Sequence, residues 1–278
     1  MNPYLPIRKV PLDYNGISSS AYAVQMQHPA KNSIIDTDPF VESPTEWKET
    51  GVVGHSYLLL PNEEVKEAAN QVAKECNLNF TFDKTFFNGR SYAYSMRSDH
   101  VCGEVAQNDD VALGMQFWNS YDGSKAFGFA MMLYRLVCTN GMMSKDHFNT
   151  YRFKHEPSSS DWHENLEQVV TNINNLSNGS TSLDEFIKSL RSLNDLKVTT
   201  EELGKLRHNY LKDVPVQLWG NIVDNFTNPD IPRNPHIKHT GWDLLNTATD
   251  LLWHKEKPTV ASYGQNATIV DGLCRAVA

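Results

Sequence analysis

The 278-residue chain is 40% hydrophobic, 21% charged and 10% aromatic, the composition of a folded globular protein rather than a solvated polymer. Its 25 Lys and Arg against 33 Asp and Glu give a formal net charge of -8, which excludes a basic nucleic-acid coat and leaves any polyanion contact to a local patch. No stretch reaches the roughly 18–20 uncharged apolar residues of a membrane span.

The N-terminal residues show no signal-peptide core, and the four cysteines (Cys76, Cys102, Cys138, Cys274) form no CxxC pair. The expectation is a cytoplasmic protein with reduced thiols and no membrane partner.

In chain order, residues 1–50 contain six prolines and no sustained periodicity, so they predict an extended strap with one short strand near residues 21–26. Residues 51–60 (GVVGHSYLLL) predict a strand, and Pro61 opens a helix over 63–76 whose Val65, Ala69, Val72 and Ala73 share one face. Two hairpins follow. The first, NFTFDKTFFNGRSYAYSM, turns at Asn88-Gly89; the second runs from Val111 to Thr139 and reverses at Asp122-Gly123. Val111, Leu113, Met115 and Phe117 alternate on one side of it.

Beyond residue 157 the spacing becomes helical, over residues 162–176, 182–193, 199–210 and 242–254, with capping boxes at Ser182/Glu185 and Thr199/Glu202. Residues 228–235 form a Pro-rich loop. The predicted fold is α+β: a central antiparallel sheet, a meander of hairpins in residues 51–156, with a helical part in 157–278 packing on the same core as a single domain.

The segment from Asp109 to Met143 resembles the signature of the phage/plasmid-like protein family, domain of unknown function 932. The resemblance rests on Asn119, Ser120, Asp122, Gly123 and Ser124, then Arg135, Val137, Cys138 and Asn140. Lys154-His155 fits its basic-His element, and Asn246, Thr249 and His254 fit its C-terminal helix. Proteins of that family are carried by phages and mobile plasmids, often beside replication and recombination genes. The resemblance therefore implies a context and a fold class rather than a reaction.

A strict two-residue turn at Asn88-Gly89 puts Phe80, Phe82, Lys84 and Phe86 on one face of the first hairpin with Arg97, and Tyr92, Tyr94 and Met96 on the other. Exposed, such a ribbon suits base stacking and phosphate pairing; buried on both faces, it is core. A one-residue bulge would redistribute the rings. Charge is segregated in the same direction: residues 84–154 hold eight basic against six acidic residues, whereas residues 156–213 hold six against ten. Arg135, on an otherwise apolar alternation, calls for a buried carboxylate such as Asp109 or Asp122, or for a phosphate at a groove.

No HExxH, GxSxG, GxxxxGK(S/T) or GxGxxG motif is present, and no cofactor is implied. His236 and His239, with Asp243 and His254, are the remaining candidates for a metal-assisted hydrolase or nuclease. The leading expectation is a non-enzymatic, phage-encoded protein that binds or anneals single-stranded DNA in replication or recombination, acting as a homo-oligomer. Its contacts would be Phe82, Lys84, Phe86, Arg90, Tyr92, Tyr94, Arg97, Arg135 and Lys154. The acidic net charge is equally compatible with a module that engages a host protein.

Overall fold

The computed structural model of the chain describes residues 2–14, 17–29, 45–137, 140–148, 150–156, 162–177, 181–228, 239–253 and 260–278. Where the sequence suggested a strap, β1 (Ile7–Tyr14), β2 (Ile17–Pro29) and β3 (Thr45–Gly54) form an antiparallel three-stranded sheet in the order β1-β2-β3. The prolines misled because of where they fall. Pro11 lies in the edge strand β1, beside a register shift between Pro11 and Asp13, and Pro29 ends β2. Both are positions where a missing N–H does not interrupt a ladder. Val24, Met26 and Val53 are buried against Tyr121.

Pro61 precedes α1 (Asn62–Glu75), which buries Val65, Ala68, Ala69 and Val72 on the predicted face. The second sheet has six antiparallel strands: β4 (Phe80–Phe87), β5 (Ser91–Ala106), β6 (Asp109–Ser120), β7 (Phe127–Arg135), β8 (Asn140–Met143) and β9 (Thr150–Phe153). Their order is β4-β5-β6-β7-β8, and β9 pairs with the other half of β7. Among the described residues six of the seven helices follow: α2 (Trp162–Ser177), α3 (Thr181–Ser192), α4 (Thr200–Asn209), α5 (Val216–Thr227), α6 (Gly241–Trp253) and α7 (Val260–Ala276). The fold is α+β around antiparallel sheets.

The six-stranded sheet is covered on both sides. One face carries Tyr92, Tyr94, Met96, Val111, Leu113, Met115, Phe117, Phe129 and Leu133 into the main core, shared with buried residues of the helices. The other face carries Ala93, Trp118, Ala130, Met132 and Tyr134 against Trp253 of α6 and Tyr263 and Ala267 of α7. Three glycines let rings lie flat on this second face. A Cβ would come within 2.2 Å of Tyr134 at Gly114, within 2.3 Å of Trp118 at Gly128, and within 2.6 Å of Trp253 at Gly141.

The first hairpin differs from expectation in two ways. Phe87 pairs with Tyr92, so the central turn residues are Gly89 and Arg90, closed by the Asn88 amide donating to the Ser91 carbonyl at 3.3 Å. Gly89, at the first central position, has φ of 93°, as a type II′ turn requires. A bulge between Phe82 and Lys84 then carries Phe80 and Phe82 to the opposite face from Lys84 and Phe86. Ser182 lies inside α3 rather than at its N-cap, and its hydroxyl donates to the His147 carbonyl at 2.8 Å, whereas Thr199 accepts from the Glu202 amide as predicted.

Candidate nucleic-acid interface

The β4–β5 ribbon is mostly structural. Tyr92 is fully buried, its hydroxyl 2.9 Å from that of Tyr4, and burial drives its pKa well upward. Tyr94 is buried beneath Phe82, with ring centroids 5.2 Å apart. Phe86 is half-buried against the second-face cluster. Lys84 donates to the Trp253 carbonyl at 2.7 Å and stands 3.8 Å from the Trp253 ring centroid, capping the end of α6. Burial brings its pKa down to about 8.

Arg135 grips both oxygens of Asp109 at 2.7 and 2.8 Å, and the Trp242 indole N–H donates to the same carboxylate at 2.9 Å. Arg135 is thus one half of a largely buried ion pair. Arg97 is half-buried, whereas Phe82, Arg90 and Lys154 face solvent. Side chains committed in this way are withdrawn from base stacking and phosphate contact, so the ribbon cannot present the continuous surface expected of it.

Other cations gather toward the opposite edge of the sheet, where β9 pairs with β7. Along β9 and just beyond it, Thr150, Arg152 and Lys154 are exposed, while Tyr151 and Phe153 turn toward Phe129 and Phe127 and His155 is buried. Arg152, Lys125 and Lys145 rim a cleft of about 290 Å³ between the β6–β7 turn, β8, β9 and α7. Its floor is Trp118, Ala130, Met143, Tyr263 and Ala267. A second hollow, lined by Gly54, Tyr57, Gly123, Lys154 and His155, meets the first at Lys125 and Ala126. Among the described residues no carboxylate forms an ion pair with Lys125, Lys145 or Arg152, while Lys154 lies 3.9 Å from Glu156.

The motif residues of the β6–β7 turn hold this rim in place. Asn119 is buried and donates to the Leu60 carbonyl at 2.8 Å and to Asn62 Oδ1 at 3.1 Å. Ser120 Oγ accepts from the Lys125 amide at 3.0 Å and donates to its carbonyl at 2.9 Å. Asp122 accepts from the Ser124 amide at 3.0 Å, and Gly123 has φ of 71°. Burial opposes ionisation of Asp122, but the Ser124 hydroxyl and amide, with Arg90 nearby, hold its carboxyl below the usual range.

On the other side of the groove the His155 ring stacks on Tyr57 at 4.5 Å with its Nδ1 2.9 Å from the Leu58 carbonyl. Burial lowers its pKa, keeping it neutral. Lys145 is fixed through its backbone: its amide donates to Asp271, which also accepts from Ser144 Oγ at 2.6 Å.

The remaining candidates lie apart from the groove. Asn140 is buried opposite Arg135, and Thr249 donates to the Leu245 carbonyl within α6, where Asn246 is half-buried. Asp243 forms a reciprocal capping box with Thr240: its Oδ2 accepts from the Thr240 amide at 2.9 Å, and its own amide donates to Thr240 Oγ1. The His239 ring meets Phe226 edge-on. His236 and His254 lie outside the described residues, among which no group of three or more His, Cys, Asp or Glu side chains is placed to hold a metal ion. Cys76, Cys102 and Cys274 are free thiols, pushed up by burial to about 12, 11 and 12.

Lys125, Lys145 and Arg152 were not singled out by the sequence. The alternation of residues 150–154 carried the available signal: polar side chains on one side, aromatic ones on the other.

An antiparallel sheet packed on both faces, with exposed cations gathered around a groove beside the β6–β7 turn, defines an α+β protein. The chain belongs to the family described as Domain of unknown function (DUF932), whose model matches residues 49–275. No curated protein and no solved structure matches it.

Proposed function

We propose that the protein binds single-stranded nucleic acid through the groove formed by Lys125, Lys145, Arg152 and Lys154, without itself cleaving the strand. One observation carries the reading: four exposed cations rim two hollows that meet, and three of them have no ionic partner among the described residues. In a chain of net charge -8, such a cluster concentrates positive potential where the rest of the surface repels a polyanion. The apolar floor favours an unpaired strand, whose bases are free to leave water, over a duplex, whose bases are already stacked. Phe82, Arg90 and Arg97 lie outside this groove and are not needed by it. A role in replicating or recombining phage or plasmid DNA accords with this chemistry, and annealing would add the requirement that several copies line one strand.

Anisotropy titration of a labelled oligonucleotide of about 30 nucleotides, at about 50 and 200 mM salt, tests the reading. Four phosphate contacts correspond to a slope of log K against log salt near -3, at about -0.7 per contact for single strands. Lys125→Ala and Arg152→Ala are each expected to make that slope shallower by about 0.7. Absence of binding at about 50 mM salt, where phosphate contacts are strongest, would overturn it.

A further inference from the structure

We infer that the cleft floored by Trp118 and Tyr263 is a pocket for one unpaired nucleotide, taking the base on its apolar floor and the phosphate among Lys125, Lys145 and Arg152. This rests on the strand-binding reading and narrows it, because binding would then require one nucleotide to leave the stack.

The lining is divided in a way that few ligands match. Ala130, Met143, Ala267 and the two aromatic residues supply an apolar floor, while Ser124, Ser144 and Thr150 join the cations as polar groups. A bare phosphate would leave that floor wet. A fatty acid would set one carboxylate against three cations, and a sugar phosphate would place hydroxyls on apolar carbon. A nucleoside phosphate uses both parts. At about 290 Å³ the cleft sits at the lower end of the roughly 300–1,000 Å³ typical of ligand sites, which suits one nucleotide and excludes a duplex.

Two details support the assignment. Gly264 lines the cleft, and a Cβ there would meet no atom within 4 Å, so the α7 backbone leaves open space in the wall. Asp271, the acid bonded to the rim, is buried and occupied by Ser144 and the Lys145 amide, so it anchors Lys145 rather than opposing an anion.

Calorimetric titration with thymidine 5′-monophosphate, thymidine and inorganic phosphate tests the pocket, alongside the labelled oligonucleotide. The monophosphate is expected to bind at least tenfold more tightly than either fragment. Gly264→Phe, which fills the cleft and keeps every cation, should abolish monophosphate binding and weaken the oligonucleotide by about tenfold. Arg152→Glu, at an exposed position without an ionic partner among the described residues, should weaken both and serves if the first variant fails to fold. Oligonucleotide binding that persists unchanged in Gly264→Phe, or a monophosphate no tighter than phosphate alone, would overturn the pocket and leave strand binding standing. Monophosphate binding without oligonucleotide binding would uphold the pocket as a free-nucleotide site and remove the strand reading.

Discussion

A guanidinium on an apolar strand face needs a buried counter-charge, and Arg135 finds one in Asp109, with Trp242 completing the carboxylate's bonds. Removing one partner leaves the other charged and uncompensated in the core. Arg135→Ala and Asp109→Ala are each expected to cost about 3 kcal/mol in urea denaturation, and the double variant well under the sum. Alternation in β7 exposed this need in the sequence, and Asp109 was one of two partners it suggested. The Trp242 contact was not legible, since 133 residues separate the donor from the acid.

Lys84 has a separate consequence. Burial lowers its pKa from 10.5 to about 8, so between those values the unfolded chain binds more protons than the folded one. Its contribution to stability therefore rises with pH across that window, and below pH 8 the whole cost of burying the charge is present. Between pH 7.5 and 10 the wild type should gain stability relative to Lys84→Met, read as the difference in urea midpoints. A difference independent of pH would show that the ammonium is solvated.

At the scale of elements, the glycines divide into two kinds. Those under rings have no room: Gly128→Ala and Gly141→Ala would drive a methyl into Trp118 or Trp253, and each should lose about 1–3 kcal/mol. Gly220, inside α5, has nothing within 4 Å of a Cβ, so Gly220→Ala should gain about 0.5–1 kcal/mol, mainly through helix propensity. Thermal melts of the three variants check both signs.

The same residues explain what sequence reading missed. Periodicity found α1–α4 and α6, but α5 and α7 escaped it. Gly220, Gly264 and Gly272 dilute their propensity, and Gly272 is needed because a Cβ there would lie 2.6 Å from Leu211. The Asn-Gly signal located the first hairpin, yet the turn sits one residue later and the bulge at Asp83 moves two phenylalanines across the sheet. Asp243, weighed as a metal ligand, is a helix cap; short-range pattern cannot separate a capping carboxylate from a coordinating one.

For the whole molecule, strands β6 and β7 have partners on both sides and lie between two packed faces. Their amides are expected to exchange with deuterium only at the rate set by global unfolding, while those of β4 and β9 exchange sooner. Mass-spectrometric hydrogen exchange resolves this ordering. The antiparallel class and the sheet-then-helix order were legible because they follow from local alternation and turn chemistry. The groove was not, since it depends on β8 and β9 sharing β7 and on α7 packing across the sheet face beside β8. Nor was the N-terminal sheet, whose first two strands precede the matched family span yet seal Tyr121 of the motif turn.

The division of β7 between two partners has an effect on assembly. On that side the six-stranded sheet ends in two staggered strands of four residues each, too short to template a further chain, whereas β4 at the other margin offers eight residues. A fibre grown by strand addition needs a competent margin at both ends. Through this sheet, two molecules can join only margin to like margin about a dyad, and such a union closes on itself instead of propagating.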